Sequence, residues 1–381
     1  MKIAMLGHKV IPSKRGGIET VLTNLCPILV EKGHDVTCYN RSTDKLENEF
    51  ADMVTDKTFK GVKLKKALTL KMRGVSAMLA SYTAAIAVAF GNYDIVHFHA
   101  EGPCAAMWIP KLFGKKCVAT VHGLDWQRDK WGKGFSSKYI KYGEKQLIKR
   151  ADEVIVFSEN VRSYFLDTYN RQTVIIPNGI SIPEKNEADI ITEKYGLKKD
   201  DYICIISRLT EEKGIHYLID AFKQIKTDKK LVICGETSDT DDYVAKLNKM
   251  AEGNDNIIFT GFITGKELSE MFSNAYVMCL PSNMEGMSMS LLESLSYGNC
   301  VLCSDIPENT SVAESYAEYF KKGSVEELKI KLQMLSDNPD KVCEYKQKAA
   351  NYICSKYSWE LTANATCDLY ERVAGKKRKE R

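Results

Sequence analysis

No stretch of this 381-residue sequence stays apolar for the roughly 20 residues a bilayer-spanning helix needs. The nearest, Val75 to Phe90, is rich in small residues but too short, and reads as a buried helix. Charge of one sign is also scarce. The 54 basic and 50 acidic residues leave a net charge of +4, too mild for a nucleic-acid binder. Met1 to Leu6 holds too few apolar residues for a signal-peptide core, so a cytoplasmic chain with reduced thiols is expected. The twelve cysteines then sit in apolar runs such as Ile203-Cys204-Ile205 as small apolar residues. The single CxxC, Cys300 to Cys303, has no second pair to complete a zinc site. Dinucleotide binding lacks its GxGxxG turn. No Asp-x-Asp pair stands at a strand end, Asp239, Asp241 and Asp242 reading as loop, so neither metal nor other cofactor is required.

What is present is an alternation of short apolar runs with helical segments. The chain is 44% hydrophobic and 27% charged, enough for two cores at this length. Strands are expected at Lys2–Leu6, Asp35–Tyr39, Asp94–Phe98, Lys116–His122, Glu153–Phe157 and Thr173–Ile176. A second series runs through Tyr202–Ser207, Lys230–Cys234, Asn256–Thr260, Tyr276–Leu280 and Asn299–Cys303. Such alternation implies α/β architecture with parallel sheets covered on both faces. Pro177-Asn178-Gly179 and Pro183 punctuate the chain between the series. We therefore expect two Rossmann-like domains, 1–180 and 181–357, with the helix 358–381 returning to the first. Ligands of such folds sit beyond the carboxyl ends of the strands, which points to a cleft between the halves.

Three segments carry polar residues where that cleft would be, and a fourth stands apart by its charge. Lys14-Arg15-Gly16-Gly17-Ile18-Glu19 forms the first strand-to-helix turn; paired glycines let a ligand approach backbone N–H groups, although a tight turn without a ligand would read the same. Arg208 ends a strand and Lys213 opens the next helix, so a diphosphate could bridge them; pairing with Glu211 or Glu212 is the alternative. Pro281-Ser282-Asn283-Met284-Glu285-Gly286-Met287-Ser288-Met289 leads into a helix carrying Glu293. Its N–H groups suit an anion, and its carboxylates suit sugar hydroxyls. Lastly, Lys60, Lys63, Lys65, Lys66, Lys71 and Arg73 cluster before the apolar helix, either as a solvated face or as a patch for anionic lipid headgroups.

In that order, Gly16-Gly17-Ile18-Glu19, His122-Gly123, Pro177-Asn178-Gly179, Ser207-Arg208 with Lys213-Gly214, and Glu285 with Glu293 resemble the retaining family 4 glycosyltransferases of the GT-B fold. Tyr357-Ser358-Trp359-Glu360 resembles that family's crossover. The stretch from His122 to Trp131 is similar to a subgroup from bacterial capsule and exopolysaccharide pathways. The resemblance implies transfer of a hexose from a UDP, GDP or dTDP sugar to a glycan or polyprenyl-linked acceptor, peripherally at the inner face of the cell membrane. It implies that Arg208 and Lys213 hold the diphosphate, that Glu285 bonds the transferred sugar and that Glu293 bonds the ribose. Gly286, Met287, Ser288 and Met289 would add backbone donors, and Gly261 with Phe262 would border the base. Gly16 and Gly17 would approach the donor from the other domain, with Glu19 and Asp125 on the acceptor side. His122 would sit near the reacting carbon, its alternative being a neutral structural histidine; His97 and His99 read as structural. A nucleotide-sugar epimerase of the same fold and a non-catalytic nucleotide-sugar binder are the competing functions.

Overall fold

The structure, a computed structural model, describes residues 1–46, 48–72, 75–124, 126, 134–236 and 241–375. The chain forms two compact units: Met1–Gly179 with Trp359–Arg381, and Ile180–Ser358.

The first unit is built on nine strands: β1 Lys2–Leu6, β2 Asp35–Arg41, β3 Val54–Thr55, β4 Thr58–Phe59, β5 Val62–Ala67, β6 Ile95–His99, β7 Lys116–Thr120, β8 Glu153–Val156 and β9 Val174–Ile175. Their order is β3-β4-β5-β2-β1-β6-β7-β8-β9. β1 and β6 are buried almost end to end, the continuous apolar pattern of parallel strands covered on both faces. The expectation of a wholly parallel sheet fails at one edge: β3 and β4 pair antiparallel with each other, and β4 with β5. Three lysines of the basic cluster lie on β5. Val62 and Ala67 face the core while Lys63, Lys65 and Lys66 are exposed, which a strand covered on its outer side only by a two-residue hairpin tolerates.

Chain order reverses between β1 and β6, so the loops after these strands diverge there. The close approach of backbones is visible at Gly7, where a Cβ would lie 2.2 Å from the His99 carbonyl oxygen. The helix Trp359–Val373 belongs to this unit. Its Tyr370 is fully buried and bonds His97, and Thr362 Oγ1 donates to the Pro177 carbonyl at 2.9 Å.

The second unit has six parallel strands: β10 Tyr202–Ile206, β11 Lys230–Cys234, β12 Ile257–Gly261, β13 Val277–Leu280, β14 Cys300–Ser304 and β15 Glu318–Phe320. The order is β12-β11-β10-β13-β14-β15, reversing between β10 and β13. Ile203, Leu231, Val277 and Leu302 from its strands pack with Leu218 and Leu332 from its helices in one buried cluster. All twelve cysteines are free thiols, and nine, Cys300 and Cys303 among them, are buried. Asp241 and Asp242 open the helix Asp241–Ala251 instead of lying in a loop; Asp239 falls outside the described residues. No helix of the described residues is long and apolar enough to cross a membrane.

Candidate active site

The two loops at the β10/β13 reversal carry the polar residues of the second unit. After β10 the chain makes a 3-10 turn, Glu211–Lys213, before the helix Ile215–Phe222. Lys213 thus closes this turn and does not open the helix, because Gly214 follows in the left-handed region at φ +66°. A Cβ at Gly214 would lie 2.0 Å from the Pro281 carbonyl oxygen, so only glycine lets the two loops meet. Their contact is reinforced by the Asn283 N–H, which donates to the Glu212 carbonyl at 2.8 Å. Ser304 Oγ donates to the Ser282 carbonyl at 2.6 Å, and Ser290 Oγ to that of Ile206 at 2.7 Å.

This frame brings Lys213 Nζ to 2.6 Å from Glu285 Oε1, with both side chains nearly buried. Ser282 Oγ donates to the same carboxylate oxygen at 2.7 Å. Arg208 is half exposed and stands 3.6 Å from Glu212 Oε1, one of the two partners weighed for it from sequence. Lys213 takes neither Glu211 nor Glu212. Its partner lies 72 residues on, and no sequence signal announces that pairing.

The helix Met289–Ser296 starts behind Glu285, its N-terminus capped by Ser288, whose Oγ accepts the Leu291 N–H. Gly286, Met287 and Ser288 are buried and Met289 is half-buried. Glu293 is half-buried on this helix, and its carbonyl accepts the Tyr297 N–H at 3.0 Å. Gly261 closes β12 at φ +71°, with Phe262 half-buried after it.

In the first unit, Gly16 and Gly17 open the helix Gly17–Glu31. Glu19 is buried and accepts the Lys9 N–H at 2.8 Å, so its carboxylate ties down the turn. A Cβ at Gly16 would meet that carboxylate at 2.2 Å, whereas nothing crowds Gly17. The carboxyl ends of β6 and β7 hold three histidines in a row. His97 bonds Tyr370 Oη at 2.6 Å and Thr120 Oγ1 at 2.7 Å. His99 Nδ1 lies 3.1 Å from His122 Nε2. Burial, reinforced by neighbouring histidines, pushes His97 down to about 3 and His99 well below the usual imidazole range. Both are buried, and His122 is the half-buried member of the row.

Asp125 lies outside the described residues. Trp126 beside it does not, and it is a contact that sequence reasoning missed. Its Nε1 donates to the buried Glu144 at 3.1 Å, as does Tyr164 Oη at 3.0 Å. Lys141 Nζ sits 4.7 Å from the centre of a Trp126 ring. Trp126 is thus pinned to the helix Phe135–Arg150.

Two α/β units, each with its polar loops at a strand-order reversal, have the architecture of a GT-B glycosyltransferase. The solved Anabaena HepE structure in complex with UDP and glucose superposes with a TM-score of 0.80 at 16% identity, covering 98% of this chain and all of the other. The chain is a glycosyltransferase of the family 4 type: residues 15–183 match the Glycosyltransferase Family 4 model, and residues 187–352 the model of Glycosyl transferases group 1. An uncharacterized glycosyltransferase of Methanocaldococcus jannaschii is 24% identical, over 97% of this chain and 98% of its own length. The O-antigen chain mannosyltransferase RfbU of Salmonella typhimurium is 25% identical, over 56% of this chain and 59% of its own.

Proposed function

We propose that the protein is a retaining hexosyltransferase. It moves a sugar from a nucleoside-diphosphate donor of UDP, GDP or dTDP type to a glycan or polyprenyl-linked saccharide, in cell-surface polysaccharide synthesis at the inner face of the membrane. What supports the reading is the convergence of Lys213, Glu285 and Ser282, with Arg208 beside them, at the β10/β13 reversal, where open α/β sheets bind ligands.

The chemistry is leaving-group stabilisation. Breaking the anomeric bond puts negative charge on the departing phosphate and positive charge on the sugar ring. Arg208 offers a planar fork towards solvent and Lys213 a fixed ammonium; both would lower the barrier by meeting the phosphate charge as it develops. Glu285 holds Lys213 in place and accepts hydrogen bonds, as a donor-sugar hydroxyl requires. The acceptor would attack the face that the phosphate leaves, through a short-lived ion pair, which gives retention without an enzyme nucleophile. No metal step is needed for this account.

Thermal shift across UDP, GDP and dTDP sugars tests the donor, since a ligand at 100 times its Kd stabilises by about 2.7 kcal/mol. Arg208→Ala should then cut turnover by about 100-fold or more while the protein stays folded. Unchanged turnover in that variant refutes the diphosphate role. Sugar-nucleotide conversion with no acceptor present would make the enzyme an epimerase.

A further inference from the structure

The helix Val75–Ala89 carries no charged residue in 15 positions. Ala80, Ala84, Ala85, Val88 and Ala89 bury one of its faces, but it is not buried all round, as its composition suggests. Ile86 is 49% exposed, and Phe90, one turn further on, is 75% exposed. The open face of a surface helix is ordinarily polar. Phe90 meets Phe113 edge-on with ring centres 4.7 Å apart, and Leu112 beside Phe113 is 74% exposed. The ends of two helices thus present one apolar corner, larger than scattered surface leucines explain.

Beside this corner is a cavity of about 240 Å³ lined by Lys2, Lys63 and Lys65 together with Ala87, Gly91 and Tyr93. Asp35, also on its wall, pairs with Lys63 at 2.7 Å, and Lys65 Nζ donates to Tyr93 Oη at 3.3 Å. Three ammonium groups against one carboxylate leave the cavity cationic. Exposed aromatic and aliphatic side chains next to a cationic opening are the two halves of a lipid-water interface. The same lysines set against themselves would repel a second copy of the chain.

We propose that this corner of the first unit docks on an anionic bilayer. Phe90, Ile86 and Leu112 enter the boundary between headgroups and acyl chains, while Lys2, Lys63 and Lys65 engage a lipid phosphate. The corner lies where the strands begin, at Lys2 of β1 and Lys116 of β7, one strand length of about 17 Å from the edge that carries His122. The inference rests on the membrane part of the proposed function and not on its donor chemistry.

The test is co-sedimentation of the full chain with phosphatidylglycerol-containing and pure phosphatidylcholine vesicles, with no sugar nucleotide or acceptor present, so that a failed donor assignment leaves it unaffected. Binding should favour the anionic vesicles and persist in part at about 0.5 M salt. Phe90→Ser with Leu112→Ser changes only exposed positions. It should lower the affinity by about tenfold and remove the salt-resistant part. Lys2→Gln with Lys65→Gln should abolish the preference for anionic lipid. Full, salt-resistant binding by the serine variant overturns the proposal. So does equal sedimentation with neutral vesicles, or a dimer in sedimentation velocity that Phe90→Ser dissolves.

Discussion

A ligand phosphate arriving at Lys213 meets an ammonium already neutralised by Glu285, with the carboxylate held in turn by Ser282. On the proposed function the two glutamates of this motif should therefore differ in their effect on a nucleotide. Glu285→Gln removes the counter-ion and leaves Lys213 freer to engage a phosphate, so affinity for the bare nucleoside diphosphate should hold or rise severalfold. Turnover should fall by about 100-fold, since a charge-assisted bond to the donor sugar becomes a neutral one. Glu293→Gln leaves the Lys213 pair intact and should weaken diphosphate and donor alike if its carboxylate takes the ribose. Calorimetry with the diphosphate alone, beside turnover, separates them. Equal loss of diphosphate affinity in both variants would end the sugar-contact role of Glu285. The residue types were legible as a motif because a strand and a Pro-Ser turn precede Glu285 and Gly286 follows it. The pairing with Lys213 was not, because 72 residues of chain separate the partners and only the fold closes that distance.

At the scale of elements, the strand-to-helix turn after β10 depends on one backbone conformation. Gly214 combines φ +66° with a 2.0 Å approach to Pro281. A side chain there adds the left-handed strain of about 1–2 kcal/mol to a collision with backbone that cannot swing aside. Gly214→Ala should lower stability by more than that strain and separate the Lys213 and Glu285 loops. Urea unfolding and nucleotide binding should fall together, and a variant stable but unable to bind would show that the loops, not the core, gave way.

Element existence was readable where burial is complete: β1 and β11 have the bounds that their apolar runs indicate. β5 was not, since Lys63, Lys65 and Lys66 break the apolar run and its strand character comes from pairing with β2. The helix Val75–Ala89 was recognised but not its open face, because a uniformly apolar helix has no polar stripe to mark which side stays uncovered.

At the scale of the molecule, acid should act unevenly. His8 is pushed down to about 4 and His97 to about 3, in each case mainly by burial, and His99 lies well below the usual range. All three belong to the first unit. Unfolded, they titrate near 6.5, so below that the unfolded state binds protons that the native state refuses. Their stabilising effect is present above about pH 6.5 and lost as pH falls towards the folded values. Each should cost roughly 1 kcal/mol between about pH 7.5 and 5.5. The four tryptophans, Trp108, Trp126, Trp131 and Trp359, all fall in that unit, so their fluorescence follows its unfolding alone. Its midpoint in urea should drop by more than that of the second unit, followed by far-ultraviolet circular dichroism. A tryptophan transition indifferent to pH would contradict neutral burial of these histidines.

The return of the helix Trp359–Val373 to the first unit also separates the order of synthesis from the order of completion. The second unit is one unbroken stretch, Ile180–Ser358, and its last residue leaves the ribosome before Trp359 does. Until then the first unit lacks Tyr370 against His97 and Thr362 against Pro177. The half of the protein made first is therefore the half finished last. The side chains that this helix covers, His97 among them, stay bare for as long as the second unit takes to emerge, roughly 9–36 seconds at about 5–20 residues per second.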